Sequence, residues 1–79
     1  MGDVVVVLTT VPTGSKGEEI GRTLVEERLA ACVNVLAPMT SIYRWRGAVE
    51  REAEQQMIIK TTRGRVPALQ SRLAVLHPY

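Results

Sequence analysis

The sequence predicts a small α+β sandwich: an antiparallel sheet with two helices packed on one of its faces. Three observations predict it. The chain opens on an unbroken β-branched run, Val4-Val5-Val6-Val7-Leu8-Thr9-Thr10. Two later segments carry apolar residues at three- and four-residue steps, the spacing of a helix with one buried side. Between them lie two strand-like runs joined at Arg46-Gly47-Ala48, a tight tip where glycine supplies a positive φ and the neighbours must be antiparallel.

The first run lacks polar alternation, which marks a strand covered on both faces or lying centrally in its sheet. Pro12, Thr13 and Gly14 stop it. Ser15 and Glu18 fit the S-x-x-E capping box, and a helix is expected from Lys16 to about Ala31. It sets Ile20, Leu24 and Val25 on one side, with Leu29 near its end. Acidic Glu18 and Glu19 suit the positive end of its dipole. Gly17 and Gly21 weaken it by up to about 1 kcal/mol each, unless a strand approaches there.

Cys32 to Leu36 reads as a strand, interrupted at Pro38 and resumed from Thr40 to Trp45. Val49 to Thr61 returns, polar near the tip and apolar at Met57-Ile58-Ile59. Thr61 and Thr62 offer an N-cap for a second helix, with Pro67 in its first turn, where a missing N–H does least harm. Val66, Leu69, Leu73 and Leu76 form its apolar stripe, and His77-Pro78 closes it, since the residue before proline leaves the α region.

The order is β-α-β-β-α. Two split β-α-β units make the ferredoxin-like sandwich, and here the fourth strand is missing. It would lie beside the first strand, so its absence bares an apolar edge, an aggregation liability. We expect residues 1–79 to be a single domain truncated at its C-terminus, a neighbouring subunit being the other way to cover the edge.

A chain of 79 residues buries only roughly 60–65% of its unfolded surface, so its core alone is marginal and self-association is expected. Cys32 is the one cysteine, which excludes an internal disulfide and suits a reducing, cytoplasmic setting. No stretch reaches the ~20 apolar residues of a membrane span. Ten basic residues are dispersed among eight acidic ones, for a net charge of +2, unlike the concentrated patch of a nucleic-acid binder. The expected partners are therefore neither nucleic acid nor membrane. A serine elbow, a phosphate loop, paired metal-binding histidines and Cys-x-x-Cys are all missing, so no enzyme is expected.

Four blocks carry a resemblance to a known family: Leu24 to Asn34, Thr40 to Gly47, Ile59 to Thr62, and Leu76-His77-Pro78-Tyr79. In this order they closely resemble the CutA divalent-cation-tolerance family over nearly the whole chain. The resemblance implies a ferredoxin-like homotrimer assembled through the long second and third strands. It also implies a response to divalent metal ions, copper most of all, and kinship with PII-like signalling proteins. Family chains continue after His-Pro-Tyr into a last strand and a short helix.

The candidate site residues are His77 and Cys32 for metal, and Tyr43, Trp45, Arg44 and Lys60 for an interface or cleft. His77 is either a helix-terminating histidine whose ring bonds a carbonyl or, as the resemblance implies, a metal ligand. Cys32 is a soft ligand or inert packing. Antiparallel topology puts the two at opposite ends of the sheet, with Thr9 and Thr10 near His77 instead. Some family members carry a cysteine at the place of Thr9 and a histidine at that of Leu76. One imidazole makes no closed site, so only weak binding of a divalent metal is expected, with no cofactor required for folding. Tyr43 and Trp45 share one strand face, as an interface pair or a pocket lining. Arg44 and Arg46 are expected to pair across the hairpin with Glu50, Glu52 and Glu54. Were Arg44, Arg46 and Lys60 to converge on a cleft between subunits, a small anion would fit, giving a PII-like regulatory module. A purely structural assembly unit is the third reading.

Overall fold

The computed structural model describes residues 3–77. Strand β1 spans Val4–Pro12, helix α1 Lys16–Glu26, β2 Cys32–Val35, β3 Met39–Trp45 and β4 Ala48–Thr62. A single 3-10 turn, Arg63–Arg65, leads into helix α2, Val66–Leu76. The expected α+β order is therefore observed, the interrupted second strand appearing as β2 and β3. Proline at 38 separates these two, as its missing donor requires. Pro78, expected to close α2, lies outside the described residues.

Every strand pairs with β4 and every pairing is antiparallel. Strand β1 lies on one side of β4, with Val7 opposite Ile59, and β2 on the other, with Val33 also opposite Ile59. Strand β3 continues beyond β2 along the same side of β4. Among the described residues no strand borders the free edge of β1.

Both helices pack over one face, because the residues that strand alternation presents there are apolar. Val11, Met57 and Ile59 of the sheet meet Ile20 and Leu24 of α1 and Leu69 of α2 in one core, all essentially buried. Leu73 and Leu76 extend that contact along α2, as their spacing predicts. Gly21 allows the close approach of α1. A methyl built on it would stand 3.1 Å from Cγ1 of Val33. Arg72 grips Glu27 through two 2.8 Å bonds, joining α2 to the end of α1.

Helix α1 stops five residues before the expected Ala31. Glu27 caps it, and Arg28 follows with φ of 61°. The amide of Arg28 donates to the Val25 carbonyl at 3.0 Å, and that of Leu29 to the Leu24 carbonyl at 2.9 Å. This is a Schellman ending with arginine where glycine is usual. The expected capping box is also replaced. Ser15 has helical dihedrals, and its hydroxyl donates to the Glu19 carboxylate at 2.9 Å. Nor does Thr61 cap α2; it is 4% exposed and donates to the Leu29 carbonyl at 2.7 Å.

The open face and the hairpin arm as candidate functional site

The second face of the sheet is unroofed. Val4, Val6 and Leu8 of β1 point to it, the first and last being 76% and 61% exposed. Lys60 and Ile58 of β4 and Cys32 of β2 share it by register, since Val6 and Cys32 both pair with Lys60 and Leu8 with Ile58. The β-branched run of β1 is thus covered on one face only within the chain, not on both. Cys32 is a free, half-buried thiol on this open face rather than part of the core.

Beyond the helices β3 and β4 run on as a two-stranded arm, which gives the molecule extents of 45 × 24 × 20 Å. Arg46 and Gly47 have φ of 51° and 80°, so the tip is a two-residue turn of the primed type. It places Trp45 opposite Ala48, Tyr43 opposite Glu50 and Arg44 opposite Val49. The expected three-residue tip would have put Arg44 opposite Glu50. One residue of slip exchanges the faces of a strand, and that corrects the charge-pairing expectation. Glu50, Glu52 and Glu54 lie on the face of Tyr43 and Trp45, while Arg44 lies on the other. The Tyr43 hydroxyl donates to Glu52 at 2.8 Å. Its pKa is raised, first because Glu52 holds the proton, then by lost hydration and the charges of Glu52, Glu50 and Glu54. The Arg46 guanidinium sits 5.3 Å above the Trp45 ring. Ile42, on the Arg44 face, is 72% exposed, and Trp45 57%.

Lys60 stands at the far end of β4, about 40 Å along the strand from the arm tip at ~3.3 Å per residue. Arg44, Arg46 and Lys60 therefore do not converge within one chain. Nor do Cys32 and His77. Nε2 of His77 lies 2.6 Å from the Thr10 carbonyl and 3.1 Å from Oγ1 of Thr9, beside β1 as the topology predicts. A carbonyl only accepts, so Nε2 carries the proton and is committed to that bond. Cys32 borders the opposite side of β4, at Lys60, whereas Thr10 pairs with Gln56. No group of three or more histidine, cysteine or acidic side chains suited to a metal occurs among the described residues. The donor set thus does not form a closed cation site within one chain. No helix among the described residues is long and apolar enough to cross a membrane.

With this geometry in view, residues 5–79 match the family model described as CutA1 divalent ion tolerance protein. The chain belongs to the CutA1 family. It is 50% identical over 74 residues to the divalent-cation tolerance protein CutA of Thermus thermophilus, covering 94% of this chain and 72% of that one. Against Protein CutA of mouse it is 45% identical over 78 residues, 99% of this chain but 44% of the mouse protein. It therefore spans under half of that relative. The solved Thermus thermophilus Cut A1 structure superposes with a TM-score of 0.91 at 49% identity, over 96% of this chain and 74% of that one. A PII-like protein CutA from Nostoc superposes at 0.85 with 43% identity, over 94% and 69%. The superposition on solved relatives confirms the α+β sandwich, and the family is one described by divalent ion tolerance.

The exchanged face of the arm and the early end of α1 are what sequence reasoning missed. The Arg-Gly pair at 46–47 was a usable signal for the first. No glycine signals the second.

Proposed function

We propose that this CutA1 chain is a non-catalytic, cytoplasmic divalent-cation tolerance protein that works as a homotrimer and binds copper or a similar ion weakly through His77. The unroofed apolar face of the sheet carries the assembly part of this reading. Val4, Val6, Leu8 and Ile58 form a band that a second copy would bury, and each fully covered aliphatic side chain contributes about 1.5–3 kcal/mol. On the arm the exposed Trp45 lies on this same face, opposite Ala48, and extends the band beyond the reach of the chain's own helices. A marginal core of this size gains most from such a contact.

The cation part rests on family membership and on His77 as the sole imidazole. Because Nε2 is engaged by Thr10, an ion must take Nδ1 or break that bond, which supports weak binding. Calorimetric titration with copper tests it: His77→Ala is expected to weaken binding at least about tenfold, as loss of a principal ligand should. Equal affinity in both proteins removes His77 from the account. The alternative, a PII-like regulatory module with a small anion at the subunit interface, is supported by the likeness to the Nostoc protein. It needs Arg44 or Arg46 from one copy to meet Lys60 of another. A purely structural assembly unit remains if neither ion nor anion binds.

A further inference from the structure

Three cations meet at the end of the sheet opposite the arm. Arg28 from the turn after α1, Lys60 from β4 and Arg65 from the 3-10 turn line one hollow of about 300 Å³. Its walls include Val4, Val25 and Ala30, and among the described residues no acidic side chain lines it. Among the described residues, none of the three cationic side chains is held in an ion pair or side-chain hydrogen bond. The nearest acid in sequence, Glu27, is already neutralised by Arg72. Three like charges around one concavity repel each other, and a bound anion relieves that repulsion.

Arg28 supplies an independent observation. It occupies the left-handed position of the α1 ending, with φ of 61°, where glycine is the unstrained choice. Such strain at a non-glycine residue persists where the surrounding structure enforces it, and it concentrates at binding sites. Here the enforcement is visible. Leu29 and Ala30 both bond the Leu24 carbonyl, the Ala31 amide donates to the Lys60 carbonyl at 2.9 Å, and Thr61 holds the Leu29 carbonyl. The turn carrying Arg28 is therefore pinned to the strand carrying Lys60.

The geometry points to a binding site for a small organic polyanion, its acidic groups held by Arg28, Lys60 and Arg65 and its carbon body against Val4 and Val25. Guanidinium forks suit carboxylate and phosphate oxygens alike, so the shared chemistry is a multiply charged oxyanion. The site is built within one chain and is separate from the copper reading. Val4 and Lys60 also belong to the open face proposed for assembly, so the site borders that contact, and the anion titration rather than the copper titration decides it.

Citrate, AMP and inorganic phosphate, titrated by calorimetry at matched ionic strength, test the proposal. Saturable binding of citrate or AMP is expected, with phosphate weaker because it has no carbon body. Arg28→Gly and Arg65→Ala should each weaken that binding about tenfold, the effect of one lost charge-assisted contact. Arg44→Ala, on the distant arm, should leave it unchanged. Arg28→Gly should also melt at a higher temperature, so its lost binding cannot come from unfolding. Absence of saturable binding by all three anions, or affinities of Arg28→Gly and Arg65→Ala equal to the parent's, overturns the site. Phosphate binding as tightly as both organic anions overturns the role given to the apolar wall.

Discussion

Replacing Thr61 by valine isolates the bond that fixes the α1–β2 turn to the sheet. The threonine hydroxyl donates to the Leu29 carbonyl at 2.7 Å, and the residue is 4% exposed. Valine keeps the shape and the buried methyl but leaves a carbonyl without its donor. Stranding a buried acceptor costs about 1–3 kcal/mol. The added methyl offsets about 0.8 kcal/mol at most, as one more buried carbon. The net loss should be about 0.2–2 kcal/mol, which lowers Tm by roughly 1–16 °C in a domain of this size. Thr61→Ser makes the converse change, keeping the donor and losing a methyl, at a cost near 0.8 kcal/mol. Thermal and urea unfolding of the three proteins, at one protein concentration because association adds to apparent stability, gives the comparison. Valine less stable than serine supports the reasoning. Valine as stable as the parent, or more stable than it, refutes it.

Other perturbations read separate parts of the structure. Arg72 holds the Glu27 carboxyl below its ordinary range, chiefly by hydrogen bonding. That contribution is complete above the ordinary value near 4.5 and is lost as pH falls through the depressed folded value. Arg72→Ala should therefore narrow the gap between Tm at neutral and at acid pH. Gly47→Ala meets no atom within 4 Å but must keep φ of 80°, so it should cost about 1 kcal/mol by backbone strain alone. Gly64→Ala, equally open and without a positive φ, should be neutral in the same denaturation assay. The Tyr43 phenol should titrate above 10 by ultraviolet absorbance, and Glu52→Gln should bring the midpoint down toward that value. An unchanged midpoint would detach Tyr43 from Glu52.

Much of this fold was legible because its signals are periodic. Leu69, Leu73 and Leu76 announce a helix with one buried side, and Met57, Ile59 and Val11 answer them from the sheet. The placement of His77 beside Thr9 and Thr10 followed from chain direction alone. What could not be read were choices between nearly equivalent local geometries. The α1 stripe continues in sequence to Leu29, yet the helix unwinds at Arg28 because tertiary bonds to Lys60 and Thr61 outweigh an arginine's reluctance to turn left-handed. In the arm, Arg46-Gly47-Ala48 and Arg46-Gly47 were both acceptable tips, and one residue decided which side Glu50 and Glu52 share with Tyr43. The cationic hollow was hidden for the same reason. Its three members are 32 and 5 residues apart, and only the pinned turn brings them together.

Light scattering during size exclusion measures the central claim directly: that the bare side of this sheet is where copies of the chain join. The parent should elute at three times the 8.7 kDa chain mass, and Leu8→Lys should fall toward a single chain. A parent that stays at one chain mass as concentration rises, or a Leu8→Lys protein that assembles as the parent does, would contradict it.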